Sequence, residues 1–378
     1  MAAPRNFSVK KLLIVALEVL LALPFGLVFI KLGLTSVAWI FGGILSGVLV
    51  FETHYLFYHN YFNQNKTARK IGQSLLGLAI GFSIADANLA GAYSKLHIFI
   101  FLTLFMLLSG SIIGYIYSRL SQTNLLNAML ATVPGGVLTM SSIAADYGRN
   151  VSLVALVQLI RVTSVILIIP LIAGASVAQV SNRTVPTIGD YAINSNPSYL
   201  LLLSLAIILA LGGVKIAKIL RMPAPPFFGT LIIGISFNYL VNLLPFLPEL
   251  YFIPPLSMSL IGQILLGVTV GEYWGGQKNL DRQTIRYAFI PVVMTILTGF
   301  IAAVIAMSVT PWDWLTCMLL TAPGGSTEMI LVALALNHNA EIVAVAHVVR
   351  LIALNLSLPL WVFLFQYFDQ RLAASGNK

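Results

Sequence analysis

Long apolar runs separated by short polar breaks dominate the chain from residue 12 to residue 366. In the first half they lie near residues 12–31, 36–52, 70–85, 96–118 and 150–174, and in the second near 198–217, 226–245, 253–274, 287–309 and 342–366. Each approaches the ~20 apolar residues that carry a helix across a bilayer. Two further apolar segments, 123–147 and 315–337, are interrupted by Pro-Gly-Gly, at Pro134, Gly135 and Gly136 and again at Pro323, Gly324 and Gly325. Proline removes a backbone donor and glycine admits angles other residues avoid, so a helix must end there.

The interruption belongs to a duplication. Pro134 and Pro323 are 189 residues apart, and the same offset relates Met140 to Met329, Gln158 to His347, Arg161 to Arg350 and Pro170 to Pro359. IGQSLLGLAIG at 71–81 returns as IGQILLGVTVG at 261–271 with an offset of 190. The expected division is a first repeat over 1–181, a polar linker over 182–197 and a second repeat over 198–378.

Composition places these repeats in a membrane: 58% of residues are hydrophobic and 9% charged, with a mean hydropathy of +0.93. The net charge of +9 does not imply nucleic acid, because the Lys and Arg residues are scattered between apolar runs as in cytoplasmic loops. Cys317 is alone, which excludes a disulfide framework or cysteine metal cluster. The run 12–30 after Arg5, Lys10 and Lys11 is too long for a signal peptide and lacks a small-residue cleavage site, so it reads as the first span.

Loop charge decides whether the interrupted segments cross the membrane or turn back. If both turn back, 16 of the 21 Lys and Arg residues fall inside, three outside (Lys31, Lys95, Arg183), and Arg161 and Arg350 within the membrane. If both cross, the tally is 10 against nine. The sequence therefore predicts an all-α polytopic membrane protein with about ten transmembrane helices in two inverted five-helix repeats, each with a Pro-Gly-Gly re-entrant hairpin. Hairpin legs of about ten residues reach about 15 Å, so the two tips should meet near mid-membrane.

Inverted repeats with broken helices are the architecture of secondary transporters. Each second leg starts a helix whose amides and dipole favour an anion. Thr139 and Ser141 flank one tip; Ser326, Thr327 and Glu328 flank the other. Arg161 and Arg350, each with Gln158 or His347 one turn earlier, are intramembrane polar residues and candidates to hold the solute. Their structural alternative is to cap hairpin carbonyls or to pair with Glu328, itself a candidate proton or cation site. Glu18 and Glu272 are weaker candidates, Glu272 being expected to reach the interface.

The PGG-x-x-x-M tip, the Q/H-x-x-R helix and the IGQ-x-LLG-x-x-x-G span together resemble the duplicated module of AbrB family membrane proteins, over roughly 12–366. The second copy, PGGSTEM with His347 and Arg350, fits best; Thr139 and Gln158 stand in the first copy where the second has Glu328 and His347. Families of this kind carry the labels ammonia monooxygenase, transport protein and regulator of gene expression. One Cys and five His, none at i,i+4 spacing, offer no metal site for a monooxygenase. Loops of at most about 20 residues leave no room for a helix-turn-helix.

The expected activity is therefore non-enzymatic: a secondary transporter or exporter of a small, anionic solute by alternating access, with H+ or Na+ as coupling ion and no cofactor or metal. The alternative is a membrane sensor acting indirectly on gene expression. The expected setting is the bacterial inner membrane, with both termini cytoplasmic and a homodimer left open.

Overall fold

In a computed structural model the chain is all-helical. The structure describes residues 9–32, 38–59, 65–85, 94–177, 191–222, 224–243, 252–275, 282–336 and 338–375. Most of the expected linker, 182–190, lies outside them. The described helices are α1 (Val9–Lys31), α2 (Ala38–Tyr58), α3 (Lys66–Ser83), α4 (Leu96–Ser121), α5 (Leu125–Thr132), α6 (Val137–Asp146), α7 (Val151–Val177), α8 (Pro197–Ile219), α9 (Pro225–Asn242), α10 (Leu256–Gly275), α11 (Arg282–Val309), α12 (Trp314–Thr321), α13 (Ser326–Ala335) and α14 (Ala340–Ser375).

Eight of these are long and apolar enough to cross a membrane: α1, α2, α4, α7, α8, α10, α11 and α14. The chain is thus a multi-pass, helical protein of the membrane type. α3 and α9, at 18 residues each, are not among the eight; α3 opens with Lys66, Arg69 and Lys70.

Helix starts are written locally. Asn65 accepts from the amides of Thr67 and Ala68 to begin α3; Asn124 accepts from Leu126 to begin α5; Asp313 accepts from Leu315 and Thr316 to begin α12. Pro197 and Pro225 occupy first-turn positions that need no amide hydrogen.

The helices gather into two compact units, each drawing on both halves of the sequence. The first holds α1–α3 and α8–α10. There α2 packs on α10, and α3 on α9, with backbone against backbone. A Cβ on Gly267 would overlap the Ile40 carbonyl, and one on Gly77 would overlap the Phe227 carbonyl. Gly77 and Gly267 are 190 residues apart, and Ile40 and Phe227 are 187 apart, so one contact is made twice by equivalent residues.

The second unit holds α4–α7 and α11–α14. Thr132 donates its hydroxyl to the Gly110 carbonyl of α4 at 2.9 Å, and Thr321 does the same to Gly299 of α11 at 3.0 Å. Both pairs obey the 189 offset. Asp369, near the end of α14, accepts from the Asn124 side chain and the Leu125 amide and pairs with Arg149 at 3.2 Å. It thereby ties the start of α5 to the loop after α6.

Candidate functional site

The two interruptions are built on one plan with one difference. Val133 (ψ 131°) and Ala322 (ψ 128°) are both extended, as residues before proline must be. Gly136 then adopts φ +86°, which only glycine holds without strain, whereas Gly325 sits at φ −70°. At Gly325 the neighbour is a side chain instead: a Cβ there would displace the Glu328 carboxylate, which folds back over the start of its own helix.

Gln158 and Arg161 close the end of α5. The Gln158 amide donates to the carbonyls of Leu130 and Val133, both at 2.8 Å; Arg161 donates to Thr132 O at 3.1 Å and to Gln158 Oε1 at 2.6 Å. In the second half His347 Nε2 meets Leu319 O at 3.1 Å, and Arg350 donates to Ala322 O at 2.6 Å and to Gly324 O at 3.4 Å. The Arg350 guanidinium also reaches His347 Nδ1 at 2.6 Å. A guanidinium can only donate, so Nδ1 accepts and the imidazole hydrogen lies on Nε2, pointing to Leu319. His347 is therefore a neutral ring with one donor and one acceptor, the same pair of functions that Gln158 supplies through its amide. This explains how glutamine and histidine exchange between the two copies.

All four side chains are buried, with Gln158 and His347 fully so. The ion pairs among the described residues, Arg149–Asp369 and His338–Asp313, include neither arginine. Arg161 and Arg350 are near enough for their charges to act on each other. Each interruption also touches the helix bearing the opposite arginine: Val133 packs against Leu354 of α14, and Gly324 lies against Val165 of α7. Val165 and Leu354 again differ by 189. A cavity of about 10 Å³, lined by Phe99, Thr103, Thr321, Ala346 and Arg350 among others, adjoins the second arginine.

The remaining expected residues divide. Pro134, Pro323 and Thr327 are buried in the tips; Gly135, Gly136, Gly324, Gly325, Ser326 and Glu328 are half-buried. Ser141 is half-buried, with its hydroxyl oxygen enclosed and without a partner among the described residues. The side chain of Thr139 lies outside the described residues. Arg350 takes backbone carbonyls and His347 as hydrogen-bond partners, the capping role that the sequence left as the structural alternative. Glu272, expected to reach the interface, is fully buried within the protein, as is Glu18; α10 packs on α2, α3 and α1.

Each interrupted segment ends where it began. The Asn150 amide donates to Asn127 Oδ1 at 3.1 Å, and His338 lies 3.0 Å from Asp313, beside an Asn339–Thr316 hydrogen bond. Burial opposes the Asp313 charge, but the Thr316 hydroxyl and amide and the His338 ring outweigh it, and the carboxyl titrates below its ordinary 3.8. A group whose folded pKa is depressed contributes stability above its unfolded value and loses it as pH falls through the folded one. Thermal unfolding of the wild type should thus show an acid-side loss, beginning below about 3.8, that is smaller in Asp313→Asn.

Two relatives match most of the chain. The uncharacterized protein YhjN of Bacillus subtilis (strain 168) is 27% identical over 326 residues, 83% of this chain and 84% of its own length. A protein of Escherichia coli (strain K12), named as a regulator, AbrB, is 25% identical over 307 residues, covering 78% and 81% respectively. Neither name carries an enzymatic activity. The sequence model of one family matches residues 14–366, nearly the whole chain and both interruptions, and the chain belongs to that family, described as transition state regulatory protein AbrB.

Proposed function

We propose that this protein is a secondary transporter of a small organic anion in the bacterial inner membrane. In this reading α5–α6 and α12–α13 are re-entrant hairpins, and α1–α4, α7–α11 and α14 are ten spans. The return of each interrupted segment to its own start supports the hairpins. Five crossings per repeat then invert the second copy relative to the first, and both termini are cytoplasmic by loop charge.

The observation that carries the anion is the distribution of charge around the tips. Arg161 and Arg350 cover the carbonyl ends of α5 and α12, whereas α6 and α13 begin at Gly136 and Gly325, neither of which offers a capping side chain. The negative dipole ends are neutralised; the start of α6 has no acidic residue in its first turn, the start of α13 is faced by its own Glu328, and both lie beside guanidinium charges held by neutral partners. A carboxylate is the ligand that balances this. The cavity beside Arg350 has room for about one water molecule, so the solute enters through a second conformation, as alternating access requires.

The test is thermal stabilisation of the purified protein by small organic anions, amino acids, amines and ammonium, followed by counterflow in proteoliposomes with the best ligand. One anion class should stabilise the wild type, more weakly in Arg350→Lys, and should exchange across the membrane. Stabilisation by amines alone would overturn the anion reading. Binding without counterflow would favour a membrane sensor, the role to which the regulator name of the Escherichia coli relative points.

A further inference from the structure

We propose that Glu18 and Glu272, in the first unit, together hold one proton. This inference stands whether or not the arginines bind an anion. Helices α1 and α10 pack through Ala22 against Ile264 and Val268, with Trp39 of α2 in the same cluster. Glu18 stands one turn before Ala22, and Glu272 one turn after Val268. Extending both rows by that turn brings the two acids to neighbouring places, and the Glu272 charge acts on Glu18.

Helix α2 closes the place from the side. Gly42 lies against Ala22 and Gly26 of α1, and Gly47 against Val268 of α10, so no side chain separates the three backbones. Ser46, fully buried, sits between those two contacts and donates to Gly43 O. Both acids are 0% exposed. The Asn65 amide donates to Glu272 Oε2 at 2.7 Å, which fixes that carboxyl. Glu18 is the telling group, since both of its oxygens are enclosed without a hydrogen-bond partner among the described residues, and Glu272 Oε1 is likewise without one there.

Among the described charged groups of the flanking helices, Lys11 of α1 and Lys66 and Lys70 of α3 are exposed, Arg69 of α3 is engaged with Tyr273, and Glu52 and His54 of α2 have contacts of their own. The ion pairs among the described residues leave out both acids. Two neighbouring carboxylates sealed from water do not both ionise, because each would lack hydration and face a like charge. A divalent ion would need several oxygen ligands beyond the three unpartnered ones present. A proton needs none, and its titration belongs to the pair.

Infrared difference spectroscopy of the full-length protein in lipid nanodiscs reads this directly. At neutral pH the wild type should show the C=O stretch of a buried protonated carboxyl, shifted by deuterium exchange and lost, by one equivalent per chain, in Glu18→Gln and in Glu272→Gln. An unchanged band in both variants would overturn the proposal. So would a wild type with no such band at neutral pH, a result that needs no variant to fold. A band that appears only when sodium is withdrawn would overturn it in favour of a metal ion.

Discussion

Arg350→Ala should destabilise the protein by about 3 kcal/mol or more, the cost of leaving three buried hydrogen-bond partners unsatisfied. The hydrogen bonds themselves do not explain that size, since side-chain hydrogen bonds within membrane proteins average about 0.6 kcal/mol. What decides it is the groups left behind. Ala322 O, Gly324 O and His347 Nδ1 would be stranded in a water-poor interior, at about 1–3 kcal/mol for each buried group left unsatisfied. Arg161→Ala strands two groups, Thr132 O and Gln158 Oε1, and should cost less. His347→Gln should be nearly neutral, because Gln158 already does that work in the first half, whereas His347→Leu should not. Thermal unfolding in detergent ranks the four variants. A full wild-type melting temperature for Arg350→Ala, or a large loss for His347→Gln, would refute the capping account.

Gly267→Val should abolish the folded protein. Any Cβ at this position lies 2.9 Å from Gly43 Cα and the Ile44 amide nitrogen, and closer still to the Ile40 carbonyl oxygen. These are backbone atoms of a packed helix, so relief requires moving α2 away from α10 along their whole contact. Overpacking a core with movable side chains costs about 1–3 kcal/mol, and here no movable side chain is available. Gly77→Val, the equivalent change at the α3–α9 crossing, should behave alike. Gly212→Ala, on α8, meets nothing within 4 Å and should leave the protein intact. Size-exclusion profiles of the three variants give the comparison, and a monodisperse Gly267→Val would show that the crossing yields more easily than its geometry implies.

Seen against these effects, the arginines serve the fold before they serve any ligand. They allow two helices to stop inside an apolar protein by covering carbonyls that have no water to turn to. The same placement concentrates positive charge at the interruptions, which is the physical basis for the proposed anion site. A structural pin and a binding group are then one residue in two roles, and Arg350→Lys, which keeps the charge and loses the planar fork, separates them.

Much of this was legible in the order of residues. Apolar run length predicts the long helices, since a span must be continuous to satisfy its own backbone, and Pro-Gly-Gly marks both interruptions because no other tripeptide so firmly ends a helix. The 189 offset pairs Gln158 with His347 and Arg161 with Arg350 before any coordinates are consulted. Spacing of three residues also places each pair on one face.

Their partners were not legible. Leu130 and Leu319, whose carbonyls they bind, lie 28 residues away in the chain, and a backbone carbonyl leaves no mark in a sequence. The neutral state of His347 follows from Arg350 lying on its Nδ1, a matter of angle and distance. Glu18 and Glu272 are more than two hundred residues apart; in the sequence one is an acid within the first span and the other an acid near the end of the eighth. Only the packing of α1, α2 and α10 on one another buries both, because burial is a property of what surrounds a residue in space and not of what precedes it in the chain.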